Sequence, residues 1–171
     1  SYEHIFGTDH LGRDILSRTL VGATTSFSVA TFSILLTLAI AAPLGLLAAY
    51  YGGSVDNILT LIMDSLYIFP SIILAILFSS LLGQTSFLIG LAVSISSVPS
   101  FYRVVHSITI SSKERTFVEV ARSCGASNFY ILKECIFPQV VPSIMSLASM
   151  TYGRAILSIA SLGFLGVGIS P

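Results

Sequence analysis

The sequence predicts an all-α protein, a polytopic transmembrane helical bundle with a helix–glycine–helix loop at one membrane surface. Of its 171 residues, 54% are hydrophobic and only 9% are charged, whereas soluble domains usually carry about 25% charged residues. No Asp, Glu, Lys or Arg occurs from Thr19 to Val55, and a transmembrane helix needs only about 20 apolar residues. The other long apolar runs are also continuous rather than alternating, which favours helical spans.

Four spans are predicted, and each is bounded by a polar or glycine-containing segment. They are residues 23–50, 57–82, 87–102 and 140–168. Gly52 and Gly53 end the first span, and the polar turn 83–86 ends the second. Asp64 lies near the start of the second span, and Arg154 lies in the middle of the fourth.

The orientation follows from the distribution of Lys and Arg. Residues 103–135 hold eight of the sixteen charged residues, and five of the eight are basic. The segment 1–22 has two arginines, and the turn 83–86 has none. Because cytoplasmic loops carry the excess of basic residues, the loop 103–138 is predicted to be cytoplasmic. Residues 1–22 then form an external amphipathic segment.

The cytoplasmic loop is predicted to form two short helices joined at a glycine. Ser111 to Glu114 fits a capping box for the first helix. Gly125 is expected to end that helix, and Ser127 can start a second one over 128–137, which Pro138 and Pro142 stop or kink. The first helix has an apolar face at helical spacing: Phe117, Val120, Ala121 and Cys124. This face either docks a partner protein or packs on the chain's own bundle.

The loop resembles the EAA loop of ABC importer permeases. That pattern reads Glu-Ala-Ala, three residues, Gly, nine residues, Ile, one residue, Leu-Pro. The four residues that match this pattern in register are Glu119, Ala121, Gly125 and Pro138. Val120, Cys135 and Phe137 depart from the pattern but stay apolar. The resemblance implies that the loop is a coupling helix that docks a cytoplasmic ATP-binding subunit. The residues expected to take part are Phe117, Glu119, Ala121, Gly125, Phe129 and Pro138.

Other segments are similar to the dipeptide, oligopeptide and nickel permeases of that family. They are Phe6 to Arg18, Tyr51 to Asp56, Asp64 with Phe69 and Pro70, and Ser161 to Gly168. The resemblance implies a permease subunit, residues 23–171, in a bacterial or archaeal cytoplasmic membrane. Its expected partners are a second permease subunit, ATP-binding subunits and an extracytoplasmic solute-binding protein. Family members have six helices, so the first and last would be absent here.

The chain departs from the family pattern inside its spans. Leu61 and Ile159 stand where the family often has Arg and Glu, and Arg154 stands where a small residue is common. These departures leave the substrate open among peptides, nickel and metal chelates.

Four residues are candidates for lining a substrate pathway: Asp64, Ser94, Ser97 and Arg154. A charge at the bilayer centre costs roughly 2.5–3.5 kcal/mol and usually faces a bundle interior or cavity. Arg154 is predicted to lie close to mid-depth, where its cation favours an anionic group, and a direct pair with Asp64 is one alternative. Ser94 and Ser97 either line a hydrated path or hydrogen-bond between helices.

Other classes of function have less support from the sequence. No histidine lies within a predicted span and no HExxH or GxSxG motif occurs, so an enzyme is not expected. The alternative function is a secondary transporter or channel that uses Asp64 and Arg154 without an ATPase partner. No cofactor or metal is expected: His4, Asp9, His10 and Asp14 fit an amphipathic surface segment better than a metal site. Zero net charge argues against a nucleic-acid partner, and Cys124 and Cys135 are expected to be buried or idle thiols.

Overall fold

The computed structural model describes residues 6–9, 11–83 and 85–166 of the chain. In this part the chain forms a bundle of helices: α1 Ile15–Tyr51, α2 Gly53–Tyr67, α3 Ser71–Leu82, α4 Ser86–Lys113, α5 Thr116–Ser123 and α6 Asn128–Phe164. Helices α1, α4 and α6 are each long and apolar enough to cross a membrane, and α2 and α3 qualify only as a pair, bent by 93°. The predicted all-α transmembrane bundle is confirmed.

Helix α1 begins earlier than the predicted span 23–50. The Asp14 side chain caps it by accepting a hydrogen bond from the Ser17 N–H at 2.9 Å. Its 37 residues make a rod about 55 Å long at 1.5 Å per residue, whereas the hydrocarbon core is only about 30 Å thick. The helix is therefore longer than one crossing of the apolar layer requires. Gly52 and Gly53, with φ of 66° and 61°, end the helix as predicted.

Helices α1 and α4 pack parallel to each other in a fixed register. Ser33 Oγ donates to the Gly90 carbonyl at 2.7 Å, and Thr37 Oγ1 donates to Ser94 Oγ at 3.1 Å, with 57 residues between the partners each time. Because both helices run in the same direction, α2 and α3 together must return the chain to the opposite side. The predicted span 57–82 is therefore one crossing, broken before α3. Pro70 explains the break, since proline cannot donate a backbone hydrogen bond and disfavours helix at the preceding residue.

Helix α4 extends beyond the predicted end of its span at residue 102. It continues to Lys113, because Val105, Thr109 and Ser112 stay buried along one face. The predicted capping box at Ser111 is therefore wrong: this residue lies inside α4, and its hydroxyl donates to the Ser107 carbonyl. A charged residue such as Arg103 can mark the edge of an apolar run without ending the helix.

Helix α6 runs antiparallel to α1 and α4. Near its start, Tyr50 Oη donates to Asn128 Oδ1 at 2.8 Å, and near its other end Tyr152 Oη donates to the Phe27 carbonyl at 3.1 Å. The short helix predicted over 128–137 is not separate, because α6 continues through Pro138 and Pro142. A π-helical segment, Ile131–Ile136, precedes Pro138. In such a segment each backbone hydrogen bond joins residues five positions apart.

Candidate functional site

The glycine turn between α5 and α6 has the predicted geometry. Gly125 has φ of +83°, a left-handed conformation that glycine adopts without the usual steric cost. Its N–H donates to the Arg122 carbonyl at 3.0 Å, and the Ala126 N–H donates to the Ala121 carbonyl at 3.0 Å. This pair of bonds is the Schellman motif. Ser127 then caps α6 by accepting from the Tyr130 N–H at 3.2 Å.

The inner face of α5 anchors the loop to the bundle. Val118 is buried in a cluster with Val105 of α4 and Ile131, Ile136 and Val140 of α6. Ala121 is half-buried against the same cluster. The predicted apolar face is therefore corrected in part: Ala121 turns toward the bundle, and Phe117, Val120 and Cys124 turn away from it. Of the two cysteines predicted to be buried or idle thiols, Cys124 is exposed and Cys135 is half-buried.

The outer face of α5 and the start of α6 form an exposed apolar patch. Val120 is 55% exposed and Phe129 is 74% exposed. Large exposed apolar patches commonly mark protein interaction sites. We call this patch the elbow surface and define it by Phe117, Glu119, Val120, Phe129 and Tyr130, all of which are exposed.

The structure places five of the six residues that the sequence predicts to dock a partner on or next to the elbow surface. Phe117, Glu119 and Phe129 lie on the surface, Gly125 forms its turn, and Ala121 supports it from below. Pro138 is exposed on the first turns of α6, beyond the π-helical segment. Tyr130 also lies on this surface, and the sequence did not indicate it because its position depends on the turn at Gly125.

A row of polar side chains joins α2 to α4. His106 Nε2 lies 2.6 Å from Asp56 Oδ1, and Thr60 Oγ1 donates to the same carboxylate oxygen at 2.9 Å. The Thr60 hydroxyl is also 2.8 Å from Tyr102 Oη. Since the threonine has one hydroxyl proton and gives it to Asp56, Tyr102 is the donor in the second bond.

At its other end, this row of side chains includes an ion pair. Arg103 Nη2 lies 2.7 Å from Asp64 Oδ1, with side chains 52% and 53% exposed. The Arg103 guanidinium also stacks 3.9 Å from the centre of the Tyr67 ring, a cation–π contact. We call the whole row, from the Asp56–His106 contact to the Asp64–Arg103 pair, the polar seam.

The polar seam opens onto a cavity of about 330 Å³. Asp56, Thr60, Asp64 and His106 line it, and so does Leu61. Of these, the sequence predicted only Asp64. The spacing of Asp56, Thr60 and Asp64 at intervals of four residues, which places them on one helix face, was the signal that could have identified the row.

Arg154 does not meet Asp64. Its neighbour Ala155 packs in one core cluster with Val29 of α1. Val29 is 22 residues from Tyr51, or about 33 Å along α1, so Arg154 lies far from the end of α1 at Tyr51. By the α1–α4 register, Arg103 is level with residue 46, which places Arg154 about 25 Å from the ion pair. Arg154 is exposed and makes no hydrogen bond or ion pair with the residues described.

The two predicted pathway serines have different surroundings. Ser94 is fully buried and accepts the Thr37 hydroxyl between α1 and α4. The half-buried Ser97 donates to the Val93 carbonyl of its own helix. Their geometry agrees with the packing alternative, in which small polar residues let helices approach closely.

The described residues before α1, 6–9 and 11–14, fold around Asp9 and are not helical. Asp9 accepts hydrogen bonds from the backbone N–H groups of Arg13 and Leu11 and pairs with the Arg13 side chain at 2.9 Å. The backbone hydrogen bond from Arg13 is the main reason that the pKa of Asp9 is lowered. Residues 4 and 10 of the rejected metal group lie outside the described residues, and those described include no group of three metal-ligating side chains.

Comparison with known proteins identifies the family of the chain. The sequence profile of a family described as "Binding-protein-dependent transport system inner membrane component" matches residues 41–170. The glutathione transport system permease protein GsiD of Pectobacterium atrosepticum is 43% identical over all 171 residues, which cover 57% of that protein. The GsiD protein of Escherichia coli is 46% identical, with 56% of its length covered. The chain thus spans about half the length of these relatives, and it belongs to the family of binding-protein-dependent transport system inner membrane components.

Proposed function

We propose that the protein is a permease subunit of an ATP-driven importer in a bacterial or archaeal cytoplasmic membrane. It forms the translocation pathway with a second permease subunit. A solute-binding protein delivers the solute on the outer side, and separate ATP-binding subunits supply the energy on the inner side. The observation that carries this proposal is the elbow surface, an exposed apolar patch fixed to three helices of the bundle.

The contacts beneath the elbow surface give a physical route for coupling. Val118 joins α5 to Val105 of α4 and to Ile131 of α6. Tyr50 joins α1 to Asn128 through a hydrogen bond of 2.8 Å. A displacement of α5 by an ATP-binding subunit therefore acts on the same ends of all three long helices. Because packed interiors are dense and transmit strain, such a push changes helix positions rather than being absorbed locally.

The elbow surface has the chemistry of a protein-docking site. Phe117, Val120 and Phe129 offer apolar area, and aromatic residues are enriched in protein interfaces. Glu119 lies in the first turn of α5, where the helix dipole favours its negative charge, and it is exposed to a cationic partner. Gly125 sets the angle between α5 and α6. Pro138 lies beyond the elbow surface, just before the predicted span 140–168.

We assign the inner part of the pathway to the polar seam. The Asp64–Arg103 pair is half exposed, and by the α1–α4 register it is level with residue 46, about 8 Å along α1 from Tyr51. An ion pair at such a depth does not face hydrocarbon without a large cost, so it faces a water-filled path or a second subunit. The half-buried Ser97 lies on the same helix as Arg103, about one and a half turns away, and belongs to this part of the pathway. Arg154 contributes a cation nearer the outer side. Ser94 supports the packing of α1 on α4.

For the substrate we propose a small peptide of the size of glutathione. The relatives that match the whole chain are named as glutathione transport permeases. Peptides, nickel and metal chelates all fall within the wider resemblance. Among the described residues there is no group of three metal-ligating side chains.

The test is solute uptake into proteoliposomes that contain the full-length permease, its second permease subunit, the ATP-binding subunits and the solute-binding protein. We expect glutathione uptake that requires ATP and every component. A secondary transporter or channel, the alternative function, would instead take up solute without the ATP-binding subunits when an ion gradient or a solute gradient is imposed. Gradient-driven uptake by the permease subunits alone would therefore refute the proposed function.

A further inference from the structure

A cavity of about 640 Å³ lies between the first turns of α1 and the last turns of α6. Small-molecule sites usually have volumes of about 300–1,000 Å³. The residues that matter for its chemistry are Arg13, Arg18, Thr25 and Ser26 of the α1 side and Ile159 and Gly163 of α6. It is separate from both the elbow surface and the polar seam.

The two arginines that line the cavity differ in their hydrogen bonds. Arg13 Nε donates to Asp9 Oδ2 at 2.9 Å. Arg18 approaches the same oxygen only to 3.8 Å, which is too long for a hydrogen bond, and its guanidinium makes no hydrogen bond to the residues described. No carboxylate is among the residues that line the cavity. Arg18 therefore presents a cation from which no described residue accepts a hydrogen bond.

A free hydroxyl lies deeper in the same cavity. Ser26 is half-buried and makes no hydrogen bond to the described part of the chain. Its neighbour Thr25 already donates its proton to the Val21 carbonyl at 3.0 Å. Arg18 and Ser26 are eight residues apart, or about 12 Å along α1. The cavity thus suits a solute with an anionic group at one end and a further polar group about that distance away.

The cavity lies where an external solute would enter. From Tyr51, the inner end of α1, the roughly 30 Å of hydrocarbon extends to about residue 31. Arg18 and Ser26 come before this point. Tyr152 of α6 is bonded to Phe27 of α1, and Ile159, seven residues further along the antiparallel α6, lines the cavity with them. In the proposed orientation, this end of the bundle faces the solute-binding protein.

We propose that this cavity binds an oxyanion of the transported solute before translocation, with Arg18 holding a carboxylate and Ser26 a second polar group of the same molecule. Guanidinium groups hold carboxylates through paired, charge-assisted hydrogen bonds. The inference rests on the proposed function for the direction of entry and for the solute class. Lipid phosphate is the other source of an oxyanion at this level, and the test separates the two.

The test uses the assembled full-length transporter with a reporter at the cavity, Ser26→Cys. Its labelling by an anionic and by a cationic methanethiosulfonate reagent is followed by mass spectrometry of the labelled peptide, because Cys124 and Cys135 are also present. We expect Arg18→Gln to lower the ratio of anionic to cationic labelling rates by about tenfold, the effect of one charge nearby at intermediate dielectric. Arg18→Lys should keep most of the ratio.

Protection from labelling identifies the ligand. S-methylglutathione, which has no free thiol, should slow labelling at the reporter, and its dimethyl ester should not. Arg18→Gln should remove the protection, and Thr19→Ala, a neighbouring exposed position that does not line the cavity, should leave it unchanged. Thr25→Cys serves as the second reporter if Ser26→Cys does not assemble.

Three results would overturn the inference. One is a labelling ratio that does not respond to Arg18→Gln. Another is a reporter that no reagent reaches in the assembled transporter, because a protein segment then fills the cavity. The third is protection by added phosphatidylglycerol but not by S-methylglutathione, which would make this a lipid site. Labelling needs no ATP, so these failures are distinguishable from a failure of ATP-driven uptake.

Discussion

Arg103 of α4 and Asp64 of α2 form an ion pair with 2.7 Å between Nη2 and Oδ1. The pair ties the first half of the broken α2–α3 crossing to the helix that packs most extensively on α1. Asp64 lies only four residues before Ile68, where the chain leaves α2. The contact therefore holds the last turns of α2 against α4, just before the break at Pro70.

The first prediction concerns this pair. Asp64→Asn and Arg103→Gln should each lower transport and thermal stability, because each leaves one charge uncompensated inside a span. The double variant should recover part of both losses. The expected coupling energy is about 0.5–3 kcal/mol, the range for residues in direct contact.

The control for the pair is Lys133 and Glu134, which approach to 3.3 Å at an exposed position. Exposed pairs of this kind contribute about 0–1 kcal/mol. The measurement is a double-mutant cycle on thermal unfolding of the purified transporter. Strictly additive losses for Asp64→Asn and Arg103→Gln would show that the contact has no energetic role.

The second prediction concerns Gly125. A Cβ built at this position meets no atom within 4 Å, so any cost of substitution comes from the positive φ rather than from a clash. A left-handed conformation costs roughly 1–2 kcal/mol for residues with a side chain, and Asn tolerates it better than most. We expect Gly125→Val to weaken association with the ATP-binding subunits and to abolish uptake, while Gly125→Asn keeps most of both.

Association is measured by co-purification, and membrane insertion of both variants is checked in parallel. Equal uptake by Gly125→Val and the unmodified protein would exclude a role for the turn. Equal loss in both variants would point to side-chain bulk, and not backbone conformation, as the cause.

The third prediction concerns the contact of α1 with α4. A Cβ at Gly45 would lie 2.9 Å from Val105 Cβ and 3.1 Å from the Tyr102 carbonyl oxygen. Overpacking of this kind costs about 1–3 kcal/mol, so Gly45→Ala should lower the thermal unfolding temperature. Gly153→Ala is the matched control within a helix, because nothing lies within 4 Å of its Cβ. Unfolding temperatures that do not distinguish the two variants would contradict the parallel packing.

The fourth prediction concerns orientation. Cys124 is exposed and should react with a membrane-impermeant maleimide only from the cytoplasmic side. A cysteine introduced by Thr85→Cys, at an exposed position before α4, should react only from outside. Ser112 would be a poor reporter, since it is buried in α4. The reverse labelling pattern would place the elbow surface outside the cell and would end the docking proposal.

Features set by a few neighbouring residues could be predicted from the sequence. Gly125 and Ser127 were predicted to end one helix and begin the next, and Gly52 was predicted to end the first span. Each acts through its own backbone conformation or through a hydrogen bond to a residue two or three positions away. The helical spans were likewise visible, because lipid solvent demands long apolar runs.

Features that depend on the register between helices could not be predicted in this way. The position of Arg154 beside α1 follows from the hydrogen bond between Tyr152 and Phe27, and the partner of Asp64 follows from the alignment of α2 with α4. Counting residues along one span does not show which residues of a neighbouring helix lie beside Arg154.

The most direct test of the account is photo-crosslinking from the elbow surface in the assembled transporter. A benzophenone side chain is introduced at Val120, and at Leu35, an exposed position of α1, as the control. We predict an adduct with an ATP-binding subunit from Val120 and none with that subunit from Leu35. An adduct of Val120 with lipid or with the second permease subunit alone would contradict the claim that this surface receives the ATP-binding subunit.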